Sequence, residues 1–352
     1  MRPNIDRRCR RLAVLPFLII SMALCLAADW ARAGDWEYEI GLKCTYDDNI
    51  LNYSDADLDL YDSIGSTPAG KFGIDSKDDF IFSPSFGIKY KSRLLGHTFQ
   101  AGFSSIYNFN VKNDLCRYFS GTIWVREYLR KGTYLQAGLK YIPEYHYRNL
   151  LAYDGAYREA EFSKLGADLT LYSVLAKRIA GRAYLGHERK DFGRFFDERD
   201  LKTYRFGFEL NYRFSGRGRA VGGYEFSISK SEGRGSEAYR RDTSYDMFSF
   251  WGGLRFAADG ISGKRLLVSP RLGYRLALYQ TAKMTWEDRF RFGRKDTRLR
   301  ASLDLRQTIS NRFDVLLGAA VNSNDADLPA KDVKRFLDYS SFTINIGFDY
   351  SF

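Results

Sequence analysis

Long apolar runs are nearly absent from this 352-residue chain, and beyond Ala27 no stretch reaches about 18 consecutive apolar residues, so nothing past that point is expected to cross a bilayer as a helix. Histidine is scarce: His97, His146 and His187 are all there is, which leaves little for imidazole-based catalysis. Of four cysteines only Cys44 and Cys116 lie beyond residue 33. They could pair in an oxidising compartment, but the strand pattern below puts Cys44 outward on a first strand and Cys116 inward on a fourth. Two unpaired thiols are therefore expected. No Pro/Ser-rich linker divides the chain, and one domain is expected.

Aromatic residues are abundant instead. The chain holds 25 Tyr and 27 Phe beside 28% charged residues, with a mean hydropathy of −0.39. That balance is too polar for a bundle of membrane helices and unusually aromatic, and a barrel that is greasy outside and wet inside accommodates both facts. The amino terminus reads as an export signal. Arg7, Arg8, Arg10 and Arg11 precede an apolar stretch from Leu12 to Ala27, and Ala31-Arg32-Ala33 supplies a small-residue cleavage site. Cleavage is expected to leave a chain starting at Gly34 and to lower the formal charge from +11 to +7, since residues 1–33 carry six basic and two acidic groups. Leu24, before Cys25, is too large for a lipoprotein signal.

The carboxy-terminal segment shows the clearest periodicity. Phe342, Ile344, Ile346, Phe348, Tyr350 and Phe352 alternate with Ser341, Thr343, Asn345, Gly347, Asp349 and Ser351, so a strand there has one greasy and one polar face. A dozen alternating positions exceed the five or six of an average soluble strand and match the roughly 9–11 that cross a bilayer at a tilt. The pattern recurs at Tyr204–Phe214 against Arg205, Glu209, Asn211 and Arg213, at Leu266–Leu278 against Arg271 and Arg275, at Leu299–Leu305 against Arg298, Arg300, Asp304 and Arg306, and at Phe80–Tyr90 against Lys89.

Turn residues between such segments place about 14 strands, within limits of about 12 to 16, near 36–46, 79–93, 97–111, 114–128, 132–146, 159–174, 178–191, 199–213, 218–231, 242–256, 266–281, 295–308, 313–323 and 339–352. The even-numbered connections are tight or intermediate and most odd-numbered ones long; only the third, Lys112-Asn113, breaks the rule. Short turns on one side and long loops on the other predict an all-β, antiparallel, up-and-down transmembrane barrel over residues 34–352, with periplasmic turns and extracellular loops. Tyr38, Tyr46, Tyr90, Tyr107, Tyr204, Phe214 and Tyr350 fall near strand ends, where aromatic rings suit the boundary of lipid and water.

Two short motifs carry a resemblance. The ending Phe348-Asp349-Tyr350-Ser351-Phe352 is similar to the carboxy-terminal signal of outer-membrane barrels, which implies that Phe348, Tyr350 and Phe352 are read by the barrel-assembly machinery. Tyr46-Asp47-Asp48-Asn49 resembles a segment opening a group of outer-membrane β-barrel porins, some of them similar to proteins from exopolysaccharide export regions. The resemblance implies residence in the cell outer membrane, among lipid and lipopolysaccharide, and leaves the solute open.

Side chains that face the lumen tune what a barrel passes. Parity points Arg182, Arg205, Arg213, Arg255, Arg271, Arg275, Arg298, Arg300 and Arg306 inward, with Lys89, Lys140 and Arg178, against Glu39, Asp168, Glu209, Glu225, Asp304, Asp314 and Asp349. Two readings follow. One is a porin-like channel for small or anionic solutes, saccharides among them, through a cationic lumen. The other is a non-conducting structural barrel closed by a ladder of Arg–carboxylate pairs, whose loops, notably 47–78, bind surface polymer or a partner of exopolysaccharide export. The oligomeric state is open.

Other chemistries find thinner support. Asp55, Asp57 and Asp59 have the opening spacing of a calcium loop, but Leu60 replaces the turn glycine and Ser66 the closing glutamate, so a solvated acidic loop and no metal are expected. No cofactor is called for. An outer-membrane lipase would need a Ser–His pair on the outer face; His187 falls there, but Glu188-Arg189-Lys190-Asp191 follows and no enzyme is expected. Nucleic acid is not expected as a partner, because the aromatics occupy the greasy face instead of interleaving with the basic one.

Overall fold

The computed structural model describes residues 35–65, 70–94, 96–152, 154–193, 195–232, 242–281 and 283–352. The expected export signal, residues 1–33, lies outside them, as does Ser66. Among the described residues the chain forms fourteen strands: β1 (Asp35–Asp47), β2 (Asp79–Leu94), β3 (His97–Asn110), β4 (Tyr118–Arg130), β5 (Thr133–Leu151), β6 (Tyr157–Ala176), β7 (Ile179–Phe192), β8 (Leu201–Arg213), β9 (Gly218–Ser231), β10 (Tyr245–Asp259), β11 (Arg265–Tyr279), β12 (Lys295–Thr308), β13 (Phe313–Asp327) and β14 (Tyr339–Ser351). Each pairs with its chain neighbour, and β1 pairs antiparallel with β14 to close the barrel. The seam is tied by reciprocal bonds: the Tyr38 N–H donates to the Phe352 carbonyl and the Phe352 N–H to the Tyr38 carbonyl, both at 3.0 Å.

The alternation seen in the sequence becomes two faces. Leu272 and Leu299, at 69% and 57% exposed, lie outward with Ile344, Ile346 and Phe348, a distribution that water would penalise and lipid favours. Aromatic pairs bracket this band. Trp36–Tyr90 and Phe214–Phe256 sit toward the rim of tight turns, and Tyr46–Phe80 toward the rim of loops. Within the lumen, large rings lie flat across glycines. A Cβ on Gly102, Gly207 or Gly223 would stand 2.5, 2.3 or 2.2 Å from Trp124, Tyr184 or Trp251, so these glycines make room for aromatic side chains inside the wall. The turn glycines Gly96 and Gly132 have φ of 83° and 79°, which only glycine adopts at little cost.

The barrel has no dry centre. The buried apolar clusters among the described residues all lie at the loop rim: Leu51, Tyr53, Phe72 and Ile74; Ala152, Ala160 and Phe196; Ala326, Leu328 and Val333. The first belongs to the connection 48–78, which contains helix α1 (Asp55–Ile64).

Several local expectations are corrected. Strand β4 begins at Tyr118, because Asp114–Cys116 form a 3-10 turn; the third connection thus spans seven residues, and the alternation of tight turns and longer loops has no exception there. Cys116 is therefore not inward on β4 but packed against the Leu51 cluster, where burial pushes its thiol up to about 12. Cys44 lies outward between Phe82 and Ile346 in register, and both thiols are free. Strands β5 and β6 run past their expected ends and leave only 152–156 between them. Irregularities between Ile142 and Tyr145 and between His146 and Arg148 break the side-chain period while the ladder continues. Asp55–Asp59 open a helix in place of the expected acidic loop, with Asp55 and Asp59 exposed and Asp57 buried. Ser54 caps α1 by accepting from the Asp57 N–H, and the buried Asp57 carboxylate pairs with Lys71. The described residues contain no cluster of metal-ligating side chains.

The two faces of β14 should respond differently to one substitution. Ile344→Lys, on the lipid side, is expected to lower unfolding free energy by about 2–4 kcal/mol, and Thr343→Lys, on the lumen side, by less than about 1 kcal/mol. Urea titration of the barrel in lipid vesicles measures both. Equal losses would mean the faces are assigned wrongly.

Candidate functional site

Register and contacts show where the nine expected arginines stand. Arg306 is paired, at 2.6 Å from Asp314 and 3.5 Å from Asp349. The other eight have no carboxylate within ion-pair distance among the described residues. Arg205 stands opposite Gly186 and Ser227, Arg271 opposite Gly253 and Ser302, and Arg300 opposite Gly273 and Asn322, to whose Oδ1 it donates at 3.1 Å. Arg275 faces Arg298 directly across the β11–β12 pair. Arg182 lies opposite Glu209 in register, with its guanidinium 5.4 Å from the Tyr184 ring. Arg213 and Arg255 flank Arg219, so three cations stand side by side near the turn rim.

Glycine, serine and asparagine neighbours leave these guanidiniums long and unneutralised. Elsewhere on the wall, charges are matched: Lys89 pairs with Glu37 at 2.7 Å, and Lys164 with Glu188 at 2.6 Å. The result is a cationic sector on β8–β12 facing a more balanced wall. Arg178 sits in the turn before β7, and its carbonyl accepts from the Arg213 N–H.

At the loop rim residues 48–65 and 70–78 fold over the mouth. Arg148, beyond the irregularities of β5, donates to the Leu51 carbonyl at 2.8 Å, with its guanidinium 5.1 Å from the rings of Tyr53 and Tyr147. Asn149 donates to the Gly70 carbonyl, Asn49 donates to the Ser340 carbonyl, and Lys71 lies 5.2 Å from the Phe336 ring. Beneath this bridge is a cavity of about 840 Å³, bounded by loop residues such as Tyr53 and Lys71 and by the inward side chains of β10–β14.

The expected set omits Arg219, Arg148 and Arg294. Arg219 shares parity with Glu225 on one strand, so the period alone places it inward. Arg148 follows two irregular steps and carries no periodic signal. Arg294, doubly bonded to Asp296, lies at a loop end. His187 lies on the outer face with its ring 5.0 Å from that of Tyr204 and Ala167 on its other side in register. A Ser–His pair would need a hydroxyl there.

No protein-family model matches the chain, and no curated protein sequence matches it. Among solved structures it is similar to the outer membrane channel DcaP of Acinetobacter baumannii (TM-score 0.50, 9% identity, covering 91% of this chain and 98% of that one). It is also similar to a bacterial polysaccharide outer membrane secretin (TM-score 0.47, 8% identity, 90% and 98%) and to a loop-deletion form of OmpT of Vibrio cholerae (TM-score 0.48, 10% identity, 91% and 100%). At such identity the likeness to the first is one of fold. The protein is an integral outer-membrane β-barrel of porin-like architecture.

The bridge over the mouth is fastened partly by charge, which gives it a pH limit. Hydrogen bonding from Lys112, then from Ser76, holds the Asp78 carboxyl at about 2, below its ordinary 3.8. A carboxyl depressed on folding stabilises above its unfolded pKa, and that contribution is lost as pH falls through the folded one. Pepsin cleavage within 48–78 should therefore be slow at pH 4 and quicken as pH drops toward 2. Asp78→Asn should be cut at pH 4 much as the parent is at pH 2; identical profiles would remove Asp78 from the fastening.

Proposed function

We propose that the barrel is a passive, porin-like channel that favours small anionic solutes, acidic saccharides among them. The observation that carries this reading is the set of eight lumen arginines without a carboxylate partner among the described residues. A guanidinium unpaired in a dry interior is disfavoured by several kcal/mol, roughly the penalty of an uncompensated buried charge. In a water-filled lumen the same group stays solvated, and a narrow channel between low-dielectric walls focuses its field on passing anions. The Arg–carboxylate ladder of a closed barrel calls for pairs, and among the described residues only Arg306 of the nine has one.

A second reading, a barrel whose loops engage surface polymer, draws on the packed connection 48–78 that narrows the mouth. In either reading lipid and lipopolysaccharide surround the outer face, and Phe348, Tyr350 and Phe352, at the closing seam, serve as the strand read by the barrel-assembly machinery.

Reversal potentials across a planar bilayer test the channel. Chloride should be preferred over potassium at about 0.1 M salt, where the screening length is about 10 Å, and the preference should fade at about 1 M, where it is about 3 Å. Joint replacement of Arg271, Arg275, Arg298 and Arg300 by Gln should abolish most of the preference. Cation selectivity, or no conductance steps from correctly folded protein, would end this reading.

A further inference from the structure

The cavity beneath the bridge has cations on opposite walls. In a ring of fourteen strands β5 and β12 stand seven apart whichever way the ring is followed, so Arg148 and the Arg275–Arg298 pair face one another across the lumen. All three line the same cavity of about 840 Å³. That is within the usual range for a small-molecule site.

Of the other cations around it, Lys71 is paired with Asp57, Arg291 with Asp288 and Arg294 with Asp296, Lys164 and Lys190 share the Glu188 carboxylate, and Arg199 stands 4.0 Å from Glu198. Arg148 is held by the Leu51 carbonyl and two tyrosine rings, and Arg298 lies 5.3 Å from the ring of Tyr339. Neither contact removes charge. The buried Nε of Arg148, the buried Nε of Arg298 and the hydroxyls of Tyr53 and Tyr339 have no hydrogen-bond partner among the described residues. All four can donate, and buried donors without acceptors are disfavoured. Arg275 and Arg298 also repel each other across their strand pair. One kind of ligand answers each of these features: acceptor oxygens bearing negative charge, at both ends of one molecule.

We infer that this cavity is a binding site for a small multivalent oxyanion, held at one end by Arg148 and Tyr53 and at the other by Arg275, Arg298 and Tyr339. The inference deepens the anion-channel reading by naming a solute class and a place where it pauses. A monovalent anion can engage only one wall. A di- or tricarboxylate, or a diphosphate, spans both and gains charge-assisted hydrogen bonds at each end, which for planar guanidiniums are strong and directional.

Equilibrium dialysis of the full barrel in detergent, with tricarballylate, pyrophosphate and acetate as probes, tests the site. At least one multivalent probe should bind at least about tenfold tighter than acetate. Arg148→Gln and the double variant Arg275→Gln/Arg298→Gln should each remove at least about tenfold of that affinity, whereas Lys131→Gln, in the exposed turn between β4 and β5, should leave it unchanged. Heat-modifiable migration on gels confirms that each variant is folded. The ratio of tricarballylate to pyrophosphate binding tells whether carboxylates or phosphates fit, and tighter binding of either supports the clamp. Multivalent probes binding no better than acetate, or affinity falling equally with Lys131→Gln, would overturn it. The channel reading is judged separately: anion selectivity without this binding leaves a channel lacking the site, and binding without conductance leaves the site in a barrel that is not a channel.

Discussion

Backbone N–H and C=O groups between the rims must find partners within the protein, because hydrocarbon offers none. Closure of β1 on β14 is where that requirement is finally met, through the reciprocal bonds of Tyr38 and Phe352. Everything else in the wall follows from it. A closed ladder forces each residue to face either lipid or lumen, so one strand must be apolar on every second position and free to be polar on the others. The same closure leaves no exposed edge for other chains to extend.

Inside the ring, stability cannot come from a greasy core. Polar and aromatic side chains share the wall, with Trp124, Tyr184 and Trp251 laid over glycines on neighbouring strands. Among the described residues ordinary globular packing appears at the loop rim, where Leu51, Tyr53, Phe72 and Ile74 form a small buried cluster. That cluster joins helix α1 to the segment after residue 70.

Strands and faces were legible in the sequence to the extent that the period of two was unbroken. From β6 to β14 the inward arginines follow from parity alone, because no bulge interrupts the count within β8, β11 or β12. Legibility failed where other physics took over. Asp114–Cys116 tighten into a 3-10 turn, and β5 shifts its register twice before Arg148. Asp55–Asp59 look like a spaced carboxylate loop until Ser54 is recognised as a cap with Asp57 three residues on, which starts a helix.

The lumen's electrostatics sit one level deeper than parity. Sliding β12 by two residues against β11 would keep every side chain on its face, yet Arg271 would then oppose Arg300 or Asp304 in place of Ser302. With Asp304 opposite Arg271, Arg275 meets Arg300; with Arg300 opposite Arg271, Arg275 meets Asp296, so each slip keeps one repelling pair and neutralises a different arginine. An alternating sequence is equally content with each of these arrangements. Composition therefore predicts a cationic wall, and only the register decides whether its arginines are spent on neighbours or left for a solute. In this barrel the register leaves eight of them without a carboxylate among the described residues, and it sets Arg275 directly against Arg298.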